Sequence, residues 1–124
     1  MSDAWPTELR VSKDRRTLSV TFSDGASYPI AAETMRVLSP SAEVQGHGPG
    51  QKVTVPGKRD VGISNIVPAG NYAVRIRFDD GHDSGIFTWP YLRELGEKGA
   101  ELFAGYEREL AEKGLSRNPQ PGLR

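Results

Sequence analysis

Tyr72-Ala73-Val74-Arg75-Ile76-Arg77-Phe78, continued by Asp79-Asp80-Gly81-His82-Asp83-Ser84-Gly85-Ile86-Phe87-Thr88-Trp89-Pro90, is the stretch that decides the fold class. Tyr72, Val74, Ile76 and Phe78 alternate with Ala73, Arg75 and Arg77. A period of two puts the two sets on opposite faces of a strand. Asp80-Gly81 supplies the backbone freedom that a tight reversal needs, and Ser84 to Thr88 reads as the returning strand. Pro90 suits the first turn of a helix, where its missing N–H is not needed. Beyond it Leu92, Leu95, Leu102, Phe103, Tyr106 and Leu110 recur at roughly helical spacing. Gly96 and Gly99 are expected to break that segment into two pieces, and Gly114 reads as its C-cap.

Working toward the N-terminus, Ala69-Gly70-Asn71 is a turn, and Val61 to Val67 reads as a further strand. Gln45 to Gly57 is a glycine-rich loop, with room for a brief strand at Lys52 to Val55. Ala31 to Leu38 reads as a short helix, ended by Ser39-Pro40. Before it, Thr7 to Ser12 and Arg16 to Phe22 alternate as a hairpin around Lys13-Asp14-Arg15. Ser23-Asp24-Gly25 turns the chain into a third short strand, Ala26 to Ile30. The expected class is α+β: a small antiparallel or mixed sheet domain, a short helix after the third strand, and a C-terminal helical segment. Residues 1–6 read as a loose lead-in, 7–114 as one domain, and 115–124 as a disordered tail.

The 124-residue length suits one core and not two. Hydrophobic content of 36% and charged content of 26% argue against general disorder. Sixteen basic residues balance sixteen acidic ones, so no global attraction to nucleic acid or anionic membrane exists. With no cysteine there is no disulfide framework and no thiolate chemistry. Met1 to Thr7 lacks a basic region followed by an apolar run, and no apolar stretch approaches a membrane span. A cytoplasmic protein is expected.

Several groups could carry chemistry. Asp79, Asp80, His82 and Asp83 combine carboxylates and an imidazole, which suits a metal or acid/base site; the plainer reading is a solvated hairpin turn. His47, the other histidine, lies in Gly46-His47-Gly48-Pro49-Gly50, a loop without the Gly-Lys-Ser/Thr ending of a phosphate-binding loop. Lys58, Arg59, Arg75 and Arg77 could form an anion- or RNA-binding surface, or be ordinary solvated charges. No Gly-x-Ser-x-Gly nucleophile elbow is present.

Leu38-Ser39-Pro40-Ser41-Ala42-Glu43-Val44, Ala69-Gly70-Asn71-Tyr72-Ala73-Val74, and Asp80-Gly81-His82-Asp83-Ser84-Gly85-Ile86-Phe87-Thr88-Trp89 with Leu92 together resemble the N-terminal domain of gamma-butyrobetaine hydroxylase. Stand-alone bacterial members form a domain family of unknown function. The resemblance covers roughly Glu8 to Leu95. It implies a small, mostly β domain with flanking helices. In the hydroxylases a separate iron/2-oxoglutarate catalytic domain follows, and related domains accompany P-loop iron–sulfur carriers; the resemblance therefore implies an accessory role and no oxygenase site.

Asp80, Gly81, His82, Ser84, Gly85 and Trp89 carry the family motif. Zinc-binding members of the family carry Cys-x-Cys-x-x-Cys after the short helix, together with the motif histidine. The three cysteine positions correspond here to Ser39, Ser41 and Val44, so of the four ligands His82 alone is kept. A neutral serine is a poor zinc ligand and valine is none. No zinc or other cofactor is expected, and Ser39 and Ser41 are expected to hydrogen-bond to His82 or to local backbone. The leading expectation is a non-catalytic accessory module that binds a protein partner near His82 and Trp89, linked to iron–sulfur or 2-oxoglutarate oxygenase metabolism. The alternatives are a metal-binding protein or enzyme using His82, and a nucleic-acid binder using Lys58, Arg59, Arg75 and Arg77. Whether the chain forms a homodimer stays open.

Overall fold

The computed structural model describes residues 4–41, 44 and 53–119. Among the described residues the fold is α+β, with two three-stranded antiparallel sheets, a short helix after the third strand and one long C-terminal helix. β1 (Pro6–Val11), β2 (Thr17–Phe22) and β3 (Ser27–Ala31) form the first sheet in that order. The β1–β2 turn is held by Asp14, whose carboxylate accepts from the Ser12 hydroxyl (2.6 Å) and the Arg16 amide (3.0 Å). Gly25 takes φ +92° in the β2–β3 turn, a conformation that an L side chain rarely adopts.

The chain passes directly into α1 (Ala32–Val37), and all of its residues except Arg36 are buried. β4 (Ile63–Ala69), β5 (Ala73–Phe78) and β6 (Ile86–Thr88) make the second sheet, with β5 central. Val74, Ile76 and Phe78 point inward, as the alternation requires. Tyr72 does not: it lies in the β4–β5 turn and is 62% exposed. Its ring lies over Gly70, where an added Cβ would come within 2.7 Å of it. Val53 to Val55 form no strand, while residue 52 lies outside the described residues.

α2 (Trp89–Glu112) is continuous through Gly96 and Gly99, where a break was expected. A Cβ on Gly96 would meet Tyr28 Cγ at 2.6 Å, so this glycine makes room for a β3 side chain and does not end the helix. The Thr88 hydroxyl caps the N-terminus by accepting from the Tyr91 amide, with Pro90 in the first turn. At the other end Gly114 has φ +67°. The Leu115 amide donates to Leu110 O and the Gly114 amide to Ala111 O, a Schellman closure.

One core joins these parts: Leu18, Val20 and Phe22 of β2, Met35 of α1, Ile76 and Phe78 of β5, and Leu92 and Leu95 of α2 are all buried. Arg15 ties the sheets together. Its carbonyl accepts from the Ile63 amide (2.7 Å), and its guanidinium donates to Ile63 O (2.6 Å) and Ser64 O (3.0 Å). Among the described residues it is the one non-glycine with positive φ (63°), which is how backbone and side chain reach the same strand.

Two further expectations change. Trp5 and Pro6 of the lead-in are engaged: Ser23 donates its amide to Trp5 O, and Pro6 pairs with Phe22. The segment 115–119 of the expected disordered tail is docked. Arg117 makes a two-pronged ion pair with Glu33 (2.7 and 2.8 Å), and its carbonyl accepts from the Arg59 amide. Residues 120–124 lie outside the described residues.

Candidate functional site

The β5–β6 turn builds the site around His82. Gly81 adopts φ +93°, the Gly81 amide donates to Phe78 O, and the Phe78 amide donates to His82 O. Asp80 organises the turn from both of its oxygens. Oδ1 accepts from the His82 amide (3.0 Å), while Oδ2 accepts from Arg36 Nε (2.7 Å) and Lys58 Nζ (2.6 Å). Burial alone would raise this carboxyl. The bonds from Lys58, the His82 amide and Arg36 outweigh that effect and hold it at about 2, below the usual 3.8.

The His82 ring turns inward and is 6% exposed. Its Nε2 lies 3.0 Å from Ser39 Oγ and 3.3 Å from Ser41 Oγ, both on buried serines. Each hydroxyl can donate or accept, so the pair satisfies this nitrogen in either tautomer. Gly85 completes the packing: a Cβ there would lie 2.2 Å from Ser39 Oγ. Tyr91 closes the segment preceding Ser39 by donating its hydroxyl to Leu38 O. Burial, helped by Glu94, pushes that phenol up to about 12, so it remains a donor.

This donor set does not fit a tetrahedral zinc. Beside the one imidazole stand two neutral hydroxyls and no thiolate, and the buried Val44 side chain supplies no donor. Of the motif carboxylates, Asp80 faces Arg36 and Lys58, and Asp83 reaches Arg77 at 3.5 Å. Among the described residues no three His, Cys, Asp or Glu side chains are grouped to hold a metal. His47 lies outside them.

Other expected neighbours are apart. Trp89 sits at the opposite end of the β5–β6 hairpin from His82, with its indole N–H donating to Asn71 O (3.0 Å). With His82 buried, the two residues do not share one surface. Lys58 is engaged by Asp80 and Arg59 by Asn118, whereas Arg75 and Arg77 stand on the exposed face of the second sheet. Of the four cations read as an alternative anion- or RNA-binding surface, Lys58 and Arg59 are thus held by side chains of the chain itself. Ser84 is exposed on the turn, one residue outside the close Gly85–Ser39 contact.

Arg36 and Glu33 were not singled out from sequence. The signal was there in a weak form, as two charges inside a six-residue helix otherwise buried in the core.

No helix among the described residues is long and apolar enough to cross a membrane. The model of the family described as gamma-butyrobetaine hydroxylase-like, N-terminal matches residues 9–93. Two protein structures solved by NMR in solution are similar. One is 46% identical, with a TM-score of 0.82 over 97% of this chain and 94% of that one. The other is 38% identical, with a TM-score of 0.81 over 100% and 95%. A crystal structure from Acidithiobacillus ferrooxidans, described as a protein of unknown function in the DUF971 family, is 38% identical. Its TM-score is 0.60 over 73% of this chain and 91% of that one. No curated protein matches.

Proposed function

Because the chain belongs to the gamma-butyrobetaine hydroxylase-like N-terminal family, we propose that it is a non-catalytic accessory module that acts by docking on another protein. By the same resemblance, the partner belongs to iron–sulfur or 2-oxoglutarate oxygenase metabolism. The observation that carries this reading is the closure of the His82 site. The one imidazole of the family motif is buried, and its Nε2 is held by Ser39 and Ser41. A general acid or base must reach a substrate proton, and a catalytic metal needs an open position. The burial of His82 and the two hydroxyls at its Nε2 support a structural role for the ring, in which its bonds hold the turn against the segment after α1.

The test is reciprocal capture with a non-histidine tag, followed by reconstitution from purified components and metal analysis of the same preparation. A partner that re-forms a complex of fixed stoichiometry, with the chain free of stoichiometric metal, is the expected result. Stoichiometric transition metal lost on His82→Gln, or turnover of a small molecule abolished by that change, would overturn the reading.

A further inference from the structure

The outer face of the second sheet combines exposed aliphatic and cationic side chains. The strand register sets Val67, Arg75 and Ile86 side by side in one row across β4, β5 and β6. Arg77 stands in the next row, opposite Asn65. Val67 and Ile86 are 38% and 46% exposed, and Arg75 and Arg77 are exposed between and beside them. Scattered exposed aliphatics are ordinary. Here two of them flank a guanidinium on one flat row, and exposed Tyr72 stands at the turn where β5 begins.

The charge on this face is one-sided. None of the residues that reach the surface on this face (Asn65, Val67, Ala69, Arg75, Arg77, Ile86, Thr88) is acidic. Arg77 has Asp83 beyond the strand end at 3.5 Å, a loose, exposed pair. Arg75 makes no ion pair among the described residues. An arginine between two aliphatic side chains offers a planar, two-pronged site for a carboxylate, with apolar contact on either side.

We propose that this face docks an acidic protein segment, with a carboxylate on Arg75 and apolar side chains on Val67 and Ile86. The inference rests on the accessory-module reading and deepens it by naming the surface and the chemistry of the partner. A protein segment fits better than nucleic acid. The exposed ring of Tyr72 lies over Gly70 at the turn, the aliphatics flanking Arg75 offer no stacking surface for bases, and two arginines on a chain of zero net charge give a small electrostatic footprint.

The experiment is an amide-shift titration of the isotope-labelled full chain with three probes. They are a blocked peptide alternating glutamate and leucine, the same peptide with lysine for glutamate, and oligouridylate. The expected result is saturable shifts at Val67, Arg75, Arg77 and Ile86 with the glutamate peptide alone, weakened at least about tenfold by Arg75→Glu. A melting temperature within a degree or so of the parent shows that this surface variant is folded. Shifts elsewhere, no shifts, an Arg75→Glu variant that binds as well, or a response to oligouridylate would each overturn the proposal. If this face fails while a captured partner still reconstitutes, the accessory reading stands and the surface assignment falls. If no partner reconstitutes but the face binds the glutamate peptide, the reverse holds.

Discussion

Gly85 and Ser39 approach so closely that a methyl group on Gly85 would lie 2.2 Å from the Ser39 hydroxyl oxygen. The same oxygen is 3.0 Å from His82 Nε2, so the glycine leaves the space in which that hydrogen bond forms. Gly85→Ala is expected to cost about 1–3 kcal/mol through overpacking. Ser39→Ala in the same chain removes the oxygen that clashes. The double variant should therefore be more stable than the sum of the two single losses, a coupling that thermal or urea denaturation of all four proteins reads directly. Strict additivity would mean that the two positions do not touch in solution.

Asp80 should make stability depend on acid. Its folded pKa of about 2 lies below the ordinary 3.8, so its contribution is complete above roughly pH 4 and is lost as pH falls through 2. Asp80→Asn is expected to cost about 1–2 kcal/mol at neutral pH, with solvent screening keeping the figure modest. The gap between parent and variant should narrow as pH drops from 4 toward 2. Denaturant midpoints across that range check it; equal midpoints at pH 7 would remove Asp80 from the account of the turn.

Arg117→Ala leaves the Glu33 carboxylate, 8% exposed, without its two-pronged partner. Loss of the partner of a mostly buried charge is expected to cost about 2–3 kcal/mol, less than for a fully buried pair because Arg117 is itself partly exposed. Truncation after Leu115 should show a comparable fall in melting temperature. A free tail would show none.

Gly96 and Gly99 should respond in opposite directions to the same change. Both lie within a helix, where alanine is favoured over glycine by about 1 kcal/mol. Around Gly99 a new Cβ meets nothing within 4 Å, so Gly99→Ala should raise stability by about 0.5–1 kcal/mol. At Gly96 the Cβ meets the root of the Tyr28 ring, which cannot swing aside, and Gly96→Ala should be destabilising. Melting temperatures of the two variants decide this, and stabilisation by both would show that Tyr28 sits elsewhere.

These positions also mark how far the sequence could be read. Strand alternation in β2 and β5, the Asp-Gly reversals and the Gly114 cap depend on neighbouring residues, and all are legible. The continuity of α2 is not, because the reason for Gly96 is Tyr28 in another element. The docking of 115–119 is likewise hidden, since Arg117 finds Glu33 84 positions earlier. Tyr72 has the parity of an inward residue, but the chain is still turning there and β5 begins one residue later. Ser39 and Ser41 were read as bonding either to His82 or to local backbone, and both hydroxyls lie within bonding distance of its ring. The outward turn of Asp80 toward Arg36 and Lys58 had no local signal.

Two of the four edge strands, β1 and β4, each carry an irregularity. The register slips between Pro6 and Glu8 in β1 and between Ile63 and Asn65 in β4. Pro68 removes an amide from β4, and Arg15 occupies the carbonyls of Ile63 and Ser64. A stray strand approaching either margin meets a broken ladder, which is how open sheets are kept from polymerising. Guarded along β4, the second sheet can leave Val67 uncovered and still discourage strand-to-strand growth at that margin. Whatever approaches that sheet along β4 must read its side chains and not its main chain.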